Sequence, residues 1–435
     1  MTNPSPLSVP SGSALSGSGS KRDNARAREA AMPFVIYIFA LSAFALGLAE
    51  FVPIGLTGVM AHSLQIDVSR VGTAITAYAL GATFSAPILS ALTASWTRKR
   101  VMLMTALVFS AGSLAAALSG NLTMLLAARF VAGLGHGLFL AVASSTAIRL
   151  AGPRRAGSAV AIVFGGFTLA LAIGVPVATY LGSVLSWRPI FMAIAAFGML
   201  GFFGLLFGMR EAAKDAGDTS AGAALHGLRA ILNPKLLGGA LVTVMAYAGS
   251  FAAYTYIAPL LVQVTSISMS TVSIFMLIYG VLAAVGNIMG GRMADRIGAD
   301  RASLIIVAGI AVVVFGMWLL AHSPVGMAVF VALLGVLSYA AVPALQARLI
   351  GIAETHAPRA HGVAAGLNIA GFNSGIALGS LLGATTIGTV GISFVGLAGA
   401  GVAGLGTLVL LVQMSRSRRL DLAVGGHKRD CPRKA

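Results

Sequence analysis

Gly291-Arg-Met-Ala-Asp-Arg-Ile-Gly-Ala-Asp-Arg301 is a charged turn held between two apolar runs, 271–294 and 302–322. Each run is long enough to cross a hydrocarbon core as a helix. Two hundred positions earlier, Ala91-Leu-Thr-Ala-Ser-Trp-Thr-Arg-Lys-Arg100 occupies the same kind of place, between runs 70–94 and 101–119. A second correspondence appears at an offset of 205, where Gly157, Gly166, Phe167 and Gly174 match Gly362, Gly371, Phe372 and Gly379. The chain therefore reads as two related halves with parallel topology, a plan used by transporters that bind cargo between the halves.

Working outward, twelve apolar runs fall at 34–61, 70–94, 101–119, 122–150, 157–184, 188–209, 236–264, 271–294, 302–322, 324–353, 359–387 and 390–414. This predicts an all-α membrane protein of twelve transmembrane helices in two pseudo-symmetric six-helix bundles. The predicted organisation is a disordered cytoplasmic tail over 1–31, a bundle over 32–210, a central cytoplasmic loop over 211–235, a second bundle over 236–414 and a basic cytoplasmic tail over 415–435. Composition agrees. Of 435 residues, 57% are hydrophobic and 9% charged, against about 25% charged in soluble proteins. Such a chain cannot cover a water-facing surface. The single cysteine, Cys431, excludes a disulfide scaffold.

The net charge of +17 has a topological meaning. With the N-terminus inside, 26 of the 29 Lys and Arg residues fall on the inner side; Arg70 and Arg188 lie outside, and Arg129 lies within the fourth span. This is the positive-inside pattern, and it places both termini in the cytoplasm. It also removes the reason to invoke nucleic acid as a partner. No phosphate-binding loop and no cluster with metal-ligand spacing is present in the sequence, so neither ATP, another cofactor nor a metal is expected; a proton gradient is the expected energy source. A membrane-embedded enzyme and a receptor or scaffold are the readings from other classes. The first lacks a second intramembrane acid, and the second lacks a sizeable extramembrane segment.

Of twelve acids, only Glu50 lies deep within a span. Such a group normally faces a cavity and has a function. Arg129 lies at an overlapping depth, and Arg129, Gly133 and His136 share one face of their helix by spacings of four and seven. Burial and a neighbouring guanidinium pull a carboxyl's proton affinity in opposite directions. Glu50 is thus the expected proton carrier, with Arg129 biasing it; the competing reading is a fixed Glu50–Arg129 pair that locks two helices. His136 is a candidate relay or ligand. Tyr78, Tyr247, Tyr254, Asn287, Gln346, Asn368 and Asn373 are polar or amphipathic side chains within spans, suited to a solute cavity or to helix–helix hydrogen bonds. Gly165, Gly166, Gly174 and Pro176 permit close packing or a kink.

These residues resemble the major facilitator superfamily. Gly291–Arg301 is similar to its G-x-x-x-D-R-x-G-x-x-R loop signature, and Leu126-Ala-Ala-Arg-Phe-Val-Ala-Gly133 to its helix 4 signature. Ala49-Glu-Phe-Val-Pro-Ile-Gly-Leu56 resembles the first helix of the twelve-span drug:proton antiporters. Gly135-His-Gly137 with Gly174-Val-Pro-Val-Ala-Thr179 is similar to the arabinose and sugar efflux branch. Ser95 stands where the first-half loop signature has Asp, and Val175 and Thr179-Tyr180 depart from the helix 5 antiporter signature.

The resemblance implies a monomeric bacterial inner-membrane transporter working by alternating access. It implies a gating role at the inner face for Arg98, Lys99, Arg100, Asp295, Arg296 and Arg301. The expected partners are a small-molecule substrate, protons and the lipid bilayer. The expected function is proton-coupled export of a sugar, metabolite or drug such as a phenicol-type antibiotic. Uptake by symport or facilitation is the alternative direction.

Overall fold

The computed structural model describes residues 32–93, 96–151, 156–210, 232–356 and 361–427. The expected tail 1–31, most of the central loop 211–235, Ser95 and the end of the C-terminal tail lie outside the described residues.

Twelve helices follow the chain, here α1 to α12. The first half holds α1 (Phe34–Leu64), α2 (Val68–Leu92), α3 (Arg98–Ala117), α4 (Leu122–Ala151), α5 (Ala156–Leu169 continuing through Val175–Val184) and α6 (Trp187–Gly208). The second holds α7 (Pro234–Tyr254 and Ile257–Gln263), α8 (Met269–Ile297), α9 (Ala299–Leu319), α10 (Pro324–His356), α11 (His361–Thr389) and α12 (Val395–His427). Among the described residues, eleven stretches are long and apolar enough to cross a bilayer. Helix α2 carries Ser69, Arg70, Thr73 and Thr76 in its first turns, where Thr76 bonds to Ala377 of α11. The last helix continues to His427, so the basic segment after residue 414 begins as an extension of α12.

Glycine sets the helix spacing. A Cβ on Gly133 of α4 would stand on the carbonyl oxygen of Tyr78 in α2, and a Cβ on Gly335 of α10 would stand on that of Tyr279 in α8. Side chains at these crossings would force the backbones apart. The matching contacts also make the two-fold repeat physical: Gly166 lies against Ala40 of α1, and Gly371 lies against Ala240 of α7.

In α5 the helix widens rather than kinks. Residues Ala170–Gly174 form a π turn, and the N–H of Val175 bonds to the carbonyl of Ala170. Pro176 follows at once and has no N–H for the carbonyl four residues back, so the ladder slips by one residue. Close approach to α1 falls on Gly166 and Gly174; Gly165 is exposed with open space where its Cβ would be, and it takes no part in that packing.

The halves are joined at the end of the bundle where α1 ends and α2 begins. Thr76 donates to the carbonyl of Ala377 (3.3 Å), and Ser380 donates to that of Gly72 (2.8 Å). The phenol of Tyr256, at the break in α7, donates to the carbonyl of Ser380 (3.0 Å) and lies 3.4 Å from that of Ser69. Gly280 of α8 sits against the π turn of α5, over Leu171.

Candidate functional site

Proline creates the first element of the site. Pro53 lies inside α1 and cannot donate to the carbonyl of Ala49, four residues back. That carbonyl accepts from Nη1 of Arg129 at 2.7 Å, from the neighbouring α4. Nε of Arg129 reaches the carbonyl of Ala74 in α2 at 3.4 Å, and the guanidinium lies over the ring of Tyr78, 4.1 Å from its centroid. Arg129 thereby fastens α1, α2 and α4 together in a place where its own side chain is 2% exposed.

Glu50 stands beside this junction and is 1% exposed. Neither of its carboxyl oxygens has a hydrogen-bond partner among the described residues, and one nitrogen of Arg129, Nη2, is equally unpartnered. A fixed, hydrogen-bonded Glu50–Arg129 pair is therefore not what the site contains. The nearest basic group is the imidazole of His136, whose Nδ1 lies 3.9 Å from Oε2 of Glu50. The same Nδ1 is 3.0 Å from the hydroxyl of Tyr78, which in turn donates to the carbonyl of Leu46 at 3.4 Å.

The second half contributes aromatic surface. Phe51 meets Phe167 of α5 (5.5 Å between centroids) and reaches across to Phe251 and Tyr339, each at 6.4 Å. Tyr254 and Tyr279 stack at 3.9 Å, with their planes 17° apart. Tyr247 packs edge-on to Phe372 at 4.4 Å, and its hydroxyl donates to the carbonyl of Ser338. A continuous band of rings thus runs from Tyr78 through His136, Phe167 and Phe51 into the second half.

Other residues singled out from the sequence lie elsewhere. Asn368 donates to Gln346 (2.8 Å) and accepts from Thr243 (2.9 Å), a closed amide network among α7, α10 and α11. Asn373 donates to the carbonyl of Ile369 in its own helix, and its Oδ1 is buried without a partner. Asn287 is half-buried in α8. At the opposite end of the bundle, Arg98 donates to Ser145, Lys99 donates to the carbonyl of Leu206, and Arg100 lies over Trp96. Asp295, Arg296 and Arg301 are exposed.

A carboxylate that pairs at this end is Asp300, at 2.7 Å from Nε of Arg348. Nη2 of Arg348 also donates to Gln413, which donates to the carbonyl of Gly238. Sequence reasoning missed this cluster, having counted Arg348 as a topological charge. It missed Phe51, Phe251, Tyr279 and Tyr339 as well. The available signal was a set of aromatics at the middle depth of spans 1, 7, 8 and 10.

Known proteins agree with this architecture. The Major Facilitator Superfamily profile matches residues 39–356. The chain is 36% identical to the uncharacterized MFS-type transporter YtbD of Bacillus subtilis (strain 168), over 79% of this chain and 86% of that one. It is 32% identical to the inner membrane transport protein YdhP of Escherichia coli (strain K12), over 81% and 89%. It is also 32% identical to a chloramphenicol resistance protein of Streptomyces lividans, over 82% and 90%. Among solved structures, a mutant form of the nucleoside transporter NupG is similar with a TM-score of 0.70 at 15% identity, covering 88% of this chain and 99% of that one. Twelve helices in two repeated bundles, with a buried acid and arginine in the first, are thus the frame of a transporter rather than an enzyme, and the chain belongs to the major facilitator superfamily.

Proposed function

We propose that this protein exports a small solute across the bacterial inner membrane in exchange for protons, with Glu50 as the proton carrier. The observation that carries the reading is the environment of Glu50. It is an enclosed carboxyl with no hydrogen bond among the described residues, 3.9 Å from a histidine and one residue from the Arg129–Ala49 junction. A carboxyl in such surroundings changes charge when its access to water changes. Rocking of the two halves about the outer seam supplies that change.

His136 is the neighbouring exchange partner, and Tyr78 fixes its ring. Arg129 sets the local field while holding three helices. Asp295, Arg296 and Arg301, with Arg98, Lys99 and Arg100, are proposed to close the inner ends when the outer seam opens. Export of an aromatic antibiotic is supported by the likeness to the chloramphenicol resistance protein.

The test uses inverted membrane vesicles with an imposed pH gradient, acid inside. Accumulation of radiolabelled chloramphenicol or a sugar inside the vesicles, abolished by Glu50→Gln with normal expression and melting temperature, is the expected result. Accumulation by the Gln variant against the gradient overturns the role of Glu50. Efflux driven by the same gradient reverses the direction and makes the protein a symporter.

A further inference from the structure

The end of the bundle where α1 stops and α2 starts carries a cleft of about 530 Å³, within the range of roughly 300–1,000 Å³ in which small-molecule sites fall. Both halves build it: α1 and α2 contribute Val59, His62 and Val68, and α7 and α8 contribute Val262, Gln263 and Met269. The cleft is separate from the proton site. Gly58, on its lining, stands eight positions after Glu50, about 12 Å along a helix, and the intervening Ile54, Leu56 and Thr57 are fully buried.

The lining is apolar except for His62 and Gln263. Both side chains are exposed and engaged with no other described residue. Between them they offer an imidazole N–H and a carboxamide N–H. The described charged side chains at this end of the bundle are Asp67, Arg70 and Arg188, two cations against one acid. Arg188 donates to Ser63 at 2.9 Å, which sets a guanidinium beside the residue that follows His62. An apolar pocket with donors at its polar end and net positive charge nearby matches an apolar chain that ends in an anion.

Position couples the cleft to the seam. Val68 precedes Ser69, whose carbonyl lies 3.4 Å from the hydroxyl of Tyr256, and Ala258, also on the lining, comes two residues after Tyr256. An occupant therefore touches both halves beside the contact that Tyr256 makes. A ligand held between the halves here and lost when they part stabilises the closed seam by mass action.

We infer that the cleft binds a medium-chain carboxylate, with its chain among Val59, Val68, Val262 and Met269 and its head against His62 and Gln263, and that a filled cleft holds the two halves together at this seam. Such an acid restrains the protein without entering the surroundings of Glu50. The inference goes beyond the exchange reading and needs neither a gradient nor a particular cargo.

The experiment uses the full chain in phosphatidylcholine nanodiscs with no pH gradient. A cysteine replaces Thr76, whose hydroxyl bonds to Ala377 across the seam, in a Cys431→Ser background. The rate of its labelling by a hydrophilic maleimide reports opening. The probes are octanoate, octanol and octyltrimethylammonium, and binding of radiolabelled octanoate is counted against empty nanodiscs. The expected result is saturable octanoate binding, with labelling slowed about threefold when octanoate stands at about twice its Kd, a weaker effect of octanol and none of the cation. Gly58→Leu and Val262→Phe fill the cleft from opposite halves; a Cβ on Gly58 meets open space, so the larger side chain enters without a backbone clash. Both should abolish the octanoate effect, and His62→Leu should reduce it to that of octanol. No saturable binding, equal slowing by the cation, or slowing that survives either filling variant overturns the inference, as does saturable binding that leaves labelling unchanged. Because no gradient is applied, these readouts stand or fall apart from the role of Glu50.

Discussion

Arg129 completes the hydrogen bond that Pro53 withholds from α1. The proline leaves the Ala49 carbonyl without its helical donor, and the guanidinium takes that place at 2.7 Å. The Ala49–Pro53 stretch is therefore a socket for a side chain from another helix, with Glu50 on its rim. Pro53→Ala restores a competing N–H. The helix gains about 1 kcal/mol from one further hydrogen bond, while a guanidinium displaced from that carbonyl loses about 1.5–3 kcal/mol, so the melting temperature is expected to hold or fall slightly. Gradient-driven transport is expected to fall several-fold. Unaltered transport in this variant would separate the socket from function.

Lysine cannot substitute for Arg129. The guanidinium serves the carbonyls of Ala49 and Ala74 from separate nitrogens and covers the ring of Tyr78 with its flat face. An ammonium offers a compact charge and no planar fork. Losing one hydrogen bond to a charged group costs about 1.5–3 kcal/mol. Arg129→Lys should thus lower transport by tenfold or more, even though the charge is kept. Initial rates in proteoliposomes, normalised to reconstituted protein, make the check.

Tyr256 latches the seam between α2 and α11. Its phenol crosses from α7 to the carbonyls of Ser380 and Ser69, and its ring sits where a Cβ on Gly72 would be. Tyr256→Phe removes about 1 kcal/mol from the closed outer seam, a population shift of roughly fivefold toward the outward-open state. Labelling of a cysteine introduced at Thr76, by an impermeant thiol reagent added outside, should accelerate accordingly. Gly72→Val should give the larger change, because the ring can no longer seat. An unchanged labelling rate in both variants would show that the seam is held elsewhere.

Arg348 and Asp300 contribute unequally to the inner brace. The Arg348 side chain is 6% exposed and that of Asp300 is 58% exposed, so water and salt screen the carboxylate. Asp300→Asn should cost under about 1 kcal/mol, and less at high salt. Arg348→Met also strands Gln413 and should cost about 1–3 kcal/mol. Melting of the detergent-solubilised protein at two salt concentrations separates the two effects.

Span number, the two-fold repeat and the shared depth of Glu50, Arg129 and His136 were all legible in the sequence, because each follows from apolar length or helical spacing. The junctions between helices were not. Spacing of four and seven puts Arg129 and His136 on one face, yet nothing in it says that Arg129 binds a backbone carbonyl or that His136 meets Tyr78. The inner charges make the same point. Asp295 matches a familiar loop pattern and is exposed, while Asp300, five residues on, pairs with Arg348 because α9 brings it to α10. Gly165 and Gly166 are neighbours in sequence, and only one of them faces α1. Helical rotation assigns a residue to a side; the partner waiting there is fixed by how the bundle closes.

The inner brace has a mechanical consequence. One guanidinium and one amide pin the lower edges of α7, α9, α10 and α12 to each other, while Arg98 and Lys99 tie α3 to α4 and α6. A sideways push on any one of these helices is then shared by its whole bundle, as load is shared across a trussed panel. Lateral pressure in the adjoining leaflet is expected to tilt each panel as a unit, which would make turnover responsive to bilayer thickness and lipid shape.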